Sequence, residues 1–577
     1  MMNINLFQLN DPRSNSVIVC LKEKQLLYLS GVFDVQIVKG GIVYNNAHYS
    51  SSKQELSFWH PLSNSIPPIQ SSYYAGWEEP LNLGARFRHS IDRDVFNDES
   101  FTCILRISNA QIDGLIDAHK LYPDVRQLWK IRENDPYSTT IRTFTILNEM
   151  QDQFVPLITT NQWTSMVEKM KMSHKDSTFD IRIIVIGGKN SGKSTFLRLL
   201  CENLIHNDED SFSSQEELLY LDLDPGQPEY SLPDCLSLNE IKQQNPNKTF
   251  ALGQHFGQES NNFRALKQYY YGSNSPQDNP TTYLDMADQL INYFEEQCFV
   301  GTSLLNLPGW VKGFGINIIN HVIQKYKPTH IITLESKSNS LINEFNIPNI
   351  FSNPLQDDYE PIILSLSAFK TFNDSQARFH APQIRTYKTL LNFHLMSNHN
   401  YDFDPLLFKS PVQISFGSFG IQGIQYMETD FQKLHEDDIK GSLEGTIVAL
   451  NIFQQNNISE YINAAGTYPM ISKKININAL KFVTLALIHS IDEKRKIMNL
   501  YIPCSNLSHV KSSAKETQWI LIRNKTETPF CEVFPPNQEV FFSSFDSVPY
   551  LTTKRRKKHE HVWKVRKNVL RRGQLMK

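Results

Sequence analysis

With 577 residues, of which 40% are hydrophobic and 11% aromatic, the chain is longer than one hydrophobic core normally supports, so two to four domains are expected. No apolar run approaches the roughly eighteen residues of a membrane span, and Met1 to Arg13 lack a basic segment followed by an apolar one, so a soluble protein inside the cell, with no membrane partner, is expected. The net charge of −3 hides an asymmetry, because eleven Lys or Arg against the single Glu560 from Lys554 onward leave −13 on the rest.

Residues 1–150 carry short β-type runs, Ser16 to Cys20 and Val35 to Val43, between Gly and polar turns. They predict a β-rich N-terminal domain with some helix near its end. Pro156 to Lys171 has helical character around Trp163 and Met166 and leads into the apolar run Ile181 to Ile186. Directly after that run comes Gly187-Gly188-Lys189-Asn190-Ser191-Gly192-Lys193-Ser194, a complete phosphate-binding loop with a strand before it and a helix after it. Gly187 and Gly192 let the backbone form a concavity whose N–H groups point inward, Lys193 brings a charge to the terminal phosphates, and Ser194 offers a hydroxyl to Mg2+. Phe196, Leu199, Leu200 and Leu204 recur at helical spacing, so a helix N-terminus also faces the anion. The chain therefore reads as a nucleotide binder.

Asn207 to Glu217 is an acidic, polar insertion, expected to be a loop. Tyr220-Leu221-Asp222-Leu223-Asp224-Pro225-Gly226-Gln227 then places two carboxylates at a strand's carboxyl end. Strand alternation predicts Asp222 and Asp224 on one face, where a carboxylate can orient Mg2+ or accept a proton from an attacking hydroxyl; spacing alone does not divide those roles. Leu218 to Asp222, Thr302 to Leu307, His330 to Leu334 and Ile362 to Leu366 are short apolar runs that suit strands buried on both faces of a parallel sheet. Ile316, Ile319, Ile323 and Tyr326 keep helical spacing and stop before Pro328, completing a βαβ crossover. The predicted class is α/β: a central P-loop domain over residues 151–400 with a mostly parallel, doubly wound sheet and ligands at the carboxyl ends of its strands. At that edge, Asn306-Leu307-Pro308-Gly309-Trp310-Val311-Lys312-Gly313 sets a Trp on a Pro-Gly turn, placed either to stack a base or to pack the turn onto the core, with Lys312 placed to hold a phosphate.

Residues 401–553 again read as β-rich, with Val412 to Phe416, Gly445 to Leu450 and Phe482 to Ile488 as strands, and 554–577 form a basic tail. Seven scattered cysteines with no Cys-x-x-Cys pair argue against a disulfide framework or a structural zinc site, and His559-Glu560-His561 lacks the spacing that puts two histidines on one helix face. A GTPase switch is disfavoured. The nearest approach to its Asn-Lys-x-Asp base-reading motif is Asn524-Lys525-Thr526-Glu527, far outside the α/β region. In the tail, Trp563, Val565, Val569 and Leu570 alternate with Arg566, Arg571, Arg572 and other basic residues, offering anchors as well as charge for docking a protein, with plain RNA attraction as the rival.

Together and in this order, the phosphate loop from Gly187 to Thr195, the Tyr220 to Gln227 segment and the Leu307 to Gly313 turn resemble the polynucleotide 5′-hydroxyl kinases of the Clp/Grc group, most closely the nucleolar branch that processes pre-ribosomal RNA. Tyr270-Tyr271-Gly272-Ser273-Asn274-Ser275-Pro276 resembles the family's substrate-side segment, which implies contacts from Ser275 and Pro276; Arg378 to Tyr387 resembles its lid, which implies Arg378 and Arg385 as clamps on the phosphates. The resemblance implies ATP and Mg2+ as cofactors, with Lys193 on the β and γ groups, Ser194 on the metal and Thr195 on the α-phosphate. It aligns Asp224 with the acceptor-side carboxylate, leaving Asp222 as its metal-side partner and Gln227 to position the acceptor or a metal-bound water. The substrate implied is RNA with a 5′-hydroxyl end, produced by a partner endoribonuclease of the HEPN fold in the second internal transcribed spacer, in the nucleolus of the nucleus. A rival expectation keeps ATP binding structural, as in a scaffold that activates that nuclease. One departure stands out: the family's turn usually reads Thr-Pro-Gly-Trp, and Leu307 here removes the hydroxyl.

Overall fold

A continuously apolar strand must bury both faces, and Ile181–Gly187 does so by dividing its side chains between two cores. The structure is a computed structural model, and the residues it describes are 5–8, 15–51, 55–73, 100–112, 114–129, 142–149, 152–176, 180–205, 217–242, 263–297, 299–335, 342–353, 356–368, 379–397, 400–427, 434–455, 458–463, 466–473, 475–513, 517–534 and 536. Arg378, the insertion at 207–216 and the basic tail with Trp563, Arg566, Arg571 and Arg572 lie outside them.

The central unit runs α1 (Asn161–Asp176), β1 (Ile181–Gly187), α2 (Lys193–Ile205), β2 (Glu217–Asp222), β3 (Cys235–Lys242), β4 (Phe263–Tyr270), α3 (Pro280–Glu296), β5 (Thr302–Asn306), α4 (Phe314–Tyr326), β6 (His330–Glu335), β7 (Ile362–Ser367) and α5 (Ala381–His394). Its seven strands lie in the order β4-β3-β2-β5-β1-β6-β7. The five from β2 to β7 pair in parallel, whereas β3 and β4 add an antiparallel edge. On one side Ile184, Ile186, Leu221 and Leu305 pack with α3 and α4; on the other Ile183, Val185, Tyr220 and Leu304 pack with α1 and α2. Because β1 leads to β2 past β5 and its other neighbour is β6, the sheet switches direction at β1, the position where sheets of this class place a ligand crevice at the strands' carboxyl ends. One expectation is corrected: among the described residues β7 is an edge strand with no further strand beside it, and Ile362 and Ile363 are 45% and 40% exposed.

A nine-stranded antiparallel sheet formed by strands between residues 5 and 147 precedes this unit, and an eight-stranded, mostly antiparallel one formed between 412 and 523 follows it. Both grip α5. Trp129, in the chain segment of the first sheet, donates to the Tyr387 hydroxyl at 2.7 Å, while the His394 ring at the other end bonds the buried Glu532 carboxylate. Cys20, Cys103, Cys201, Cys235 and Cys531 are buried and Cys504 is half-buried, and none of these six forms a disulfide. No helix among the described residues is long and apolar enough to cross a membrane.

Candidate active site

The phosphate loop takes its shape from close backbone approach. A Cβ at residue 187 would lie 2.4 Å from the Ser191 hydroxyl and 3.1 Å from the Leu334 side chain, so only glycine fits there. Gly192 has φ of +95°, and α2 begins at the next residue. The buried Lys193 ammonium bends back to donate to the carbonyls of Gly187 at 3.0 Å and Gly188 at 3.3 Å. Burial pushes its pKa down, and the Asp224 carboxylate pulls it back up. Ser191 Oγ is buried without a hydrogen-bond partner, an orphaned group inside the loop. Asn190 has φ of 60°, Lys189 and Asn190 are exposed at the loop tip, and Ser194 and Thr195 are half-buried on the first turn of α2.

The two carboxylates occupy different environments, because β2 ends at Asp222 and strand alternation no longer governs Asp224. Asp222 is fully buried opposite Asn306 of β5 in the ladder. Its Oδ1 accepts from the Asn306 amide at 3.0 Å, and its Oδ2 accepts the backbone N–H of Glu229 at 2.6 Å and of Tyr230 at 3.3 Å. Burial pushes its pKa up to about 7 against those donors, with the neighbouring Asp224 charge adding to the rise. Asp224 is half-buried in the turn, its Oδ1 accepting the N–H of Gly226 at 3.0 Å and of Gln227 at 3.3 Å. Burial raises its pKa too, while Lys193 most strongly, and Lys388 more weakly, favour its ionised form. Gln227 is exposed beside it.

The Pro308-Gly309 turn lies on the phosphate loop itself: a Cβ on Gly309 would stand 2.9 Å from both the Cα and the N of Lys189. Trp310 is half-buried, packs against the core on the α4 side, and tilts against Phe314 with ring centroids 6.1 Å apart. Of the two roles open to a Trp on this turn, the packing of the turn onto the core is the one these contacts show. Leu307 is buried in that same core, so the position without a hydroxyl is an apolar packing position here. Lys312 is exposed.

From the opposite side comes α5. Arg385 Nη1 donates to the Gly226 carbonyl at 3.5 Å, and Lys388, one helical turn on, donates to the Pro228 carbonyl. Burial lowers the pKa of Lys388, while the charges of Glu229, Asp222 and Asp224 draw it upward. It was missed in the sequence, although its spacing of three from Arg385 places the two on one helix face. The 270–276 segment closes the rim. Asn274 O would lie 2.7 Å from a Cβ on Gly226, the Tyr271 hydroxyl donates to the Ser275 carbonyl at 3.1 Å, and Pro276 is buried beside half-buried Ser275. The structure thus gathers the loop, both carboxylates, the Trp310 turn, Arg385 and the Ser275-Pro276 segment at the carboxyl-end edge of the sheet.

Comparisons with known proteins show the family and the fold that this chain resembles. A family model described as the P-loop of mRNA cleavage and polyadenylation factor CLP1 matches residues 187–357. The chain is 48% identical over 567 residues to the polynucleotide 5′-hydroxyl-kinase GRC3 of Saccharomyces cerevisiae, covering 97% of this chain and 88% of that protein. Proteins of the same name from Kluyveromyces lactis and Candida glabrata are 40% and 41% identical, covering 100% and 97% of this chain and 89% and 88% of theirs. Among solved structures, Clp1p in its wild-type complex with Pcf11p superposes with a TM-score of 0.50 over 90% of this chain and 99% of that one, at 13% identity, a likeness of fold alone.

Proposed function

Because the chain belongs to the GRC3 family of polynucleotide 5′-hydroxyl kinases, we propose that its crevice transfers the γ-phosphoryl group of ATP to the 5′-hydroxyl of an RNA strand. The observation that carries this reading is the placement of the phosphate loop with Lys193 beside the turn that carries Asp224, near enough for each charge to favour the ionised form of the other. In the transfer, the 5′ oxygen bonds to the γ-phosphorus, the bond from that phosphorus to the β,γ-bridging oxygen breaks, ADP departs, and the hydroxyl proton passes to Asp224. Such a reaction needs chiefly alignment and charge stabilisation. Two backbone N–H groups hold Asp224 Oδ1 and fix the orientation of the carboxylate, and the exposed Gln227 positions the acceptor. Lys193 releases its own loop carbonyls to meet the β and γ phosphates, and Arg385, with Arg378 as a second clamp, meets the charge from the lid side. The orphaned Ser191 hydroxyl is suited to a phosphate oxygen, which supports ATP as the ligand.

Mg2+ suits the donor set of the Ser194 hydroxyl and nearby carboxylate, and when bound it neutralises charge on the phosphate oxygens. Asp222, with three donors already on its carboxylate, serves the metal side by fixing Asn306 and the backbone at Glu229. Ser275, Pro276 and the Pro308-Gly309-Trp310 turn with Lys312 receive the RNA end. We further place this RNA among the ends left by a HEPN-fold endoribonuclease in pre-ribosomal spacer processing in the nucleolus, with the basic tail around Trp563, Arg566, Arg571 and Arg572 docking that partner; the sequence resemblance and the tail's composition support this.

The test is transfer of label from ATP to a 5′-hydroxyl oligonucleotide. Lys193→Ala abolishes it, and Asp224→Asn binds ATP without turnover. Wild-type turnover in Asp224→Asn removes Asp224 as the proton acceptor. Truncation after Leu551 leaves turnover intact and loses the nuclease; if it instead weakens only salt-sensitive RNA binding, the tail is an RNA contact.

A further inference from the structure

Asn524-Lys525-Thr526-Glu527, distant in sequence from the α/β unit, lies directly against it. The Asn524 amide donates to the Tyr271 carbonyl at 2.6 Å, and the Lys525 N–H donates to the Gly272 carbonyl at 2.9 Å. Gly272 has φ of +72°, and a Cβ there would stand 2.4 Å from Asn524 Cβ, so the two backbones meet with no room for a side chain. Lys525 also pairs with Asp278 at 3.1 Å.

These contacts converge on Asp234, a buried residue held at φ of +64°. Its N–H donates to the Pro225 carbonyl at 2.9 Å, in the turn that carries Asp224. Its carbonyl accepts the N–H groups of Tyr271 at 2.9 Å and Gly272 at 2.8 Å, at the start of the Ser275-Pro276 rim. Its carboxylate accepts from the Thr526 hydroxyl at 2.8 Å, which in turn accepts from the Tyr270 phenol at 2.8 Å. Burial raises the Asp234 pKa to about 6, with the Thr526 hydrogen bond and then the Arg385 charge holding it down against Glu527 and Asp278. One residue thus joins the catalytic turn and the acceptor rim to the segment that follows the C-terminal sheet. A strained backbone of this kind persists only where its surroundings hold it.

We infer that Asp234 and Thr526 are positioning residues for the acceptor strand, through which the C-terminal unit sets the spacing between the Asp224 turn and the Ser275-Pro276 rim. The inference rests on the kinase reading above. It predicts an effect confined to RNA, because none of these bonds involves the phosphate loop. Losing a hydrogen bond to a buried charged group corresponds to a change of about tenfold or more.

The experiment measures KM for ATP and for a 5′-hydroxyl oligonucleotide separately, on the full chain. Wild-type transfer establishes the kinase reading independently of the variants. Thr526→Val is expected to raise the RNA KM about tenfold with the ATP KM unchanged, and Thr526→Ser to restore it. Tyr270→Phe, which keeps the ring and removes only the donor to Thr526, guards against a Val variant that fails to fold; its RNA KM rises about threefold. An unchanged RNA KM in folded Thr526→Val or in Tyr270→Phe overturns the inference, as does an equal rise in both constants.

Discussion

Gly309→Ala adds one methyl group where the Trp310 turn rests on the phosphate loop. That methyl would begin 2.9 Å from the Cα and N of Lys189 and 3.3 Å from the Gly188 carbonyl carbon. Its neighbours are backbone, so no side chain can swing aside, and the turn or the loop must shift by about half an ångström to reach ordinary contact near 3.5 Å. Overpacking of this kind costs about 1–3 kcal/mol. If the strain is relieved by displacing the loop, ATP affinity or kcat/KM falls about 5- to 150-fold. The assay is an ATP titration paired with single-turnover label transfer, with the thermal midpoint recorded to separate local from global damage. Gly188→Ala is the companion: its Cβ meets only Val311 Cγ2 at 3.8 Å, so the ligand-free protein accommodates it, and any loss appears only when phosphates must approach the backbone. Wild-type ATP affinity and turnover in Gly309→Ala would refute the idea that the turn and the loop form one wall.

Asp222, poised near 7, gives turnover an acidic limb close to that pH if its ionised form is required; Asn306→Ala removes the donor that holds the pKa down, so the limb moves to higher pH, and an unmoved limb rules Asp222 out. Because the folded pKa exceeds the unfolded one, the stability linked to Asp222 is present below about pH 4 and is lost as pH rises through about 7. His60 has the opposite sign: burial lowers its pKa to about 4, so stability worth about 3 kcal/mol is present above pH 6.5 and lost as pH falls toward 4. Denaturant midpoints measured across that window should fall in the wild type and stay flatter in His60→Gln. Arg385→Ala is expected to lower kcat about a thousandfold, and an unchanged rate dismisses α5 as a lid.

The phosphate loop was legible because its residues are consecutive: Gly187 to Ser194 supply cradle, cation and hydroxyl within one turn between strand and helix. The strands β1, β2, β5 and β6 were legible for a related reason, since burial on both faces leaves an unbroken apolar run. The same signal misled at β7, where an apolar strand sits at the sheet's edge and Ile362 and Ile363 stay exposed. Whether a strand is central or peripheral depends on which neighbours flank it, and a run of one chain segment does not encode that. Asp222 and Asp224 were visible as a pair, but their division into a saturated, buried carboxylate and a half-open one depends on Asn306 and on the end of β2.

Local order, then, fixes the chemistry that neighbours along the chain can build: an anion cradle, a helix behind it, and two carboxylates at a strand end. Folding alone decides what distant segments do to that chemistry. Lys388 reaches the Pro228 carbonyl across 160 residues, and Thr526 reaches Asp234 across 292. Such contacts leave no periodicity or spacing in the sequence, because burial and charge act through space, whereas a motif is read along the backbone.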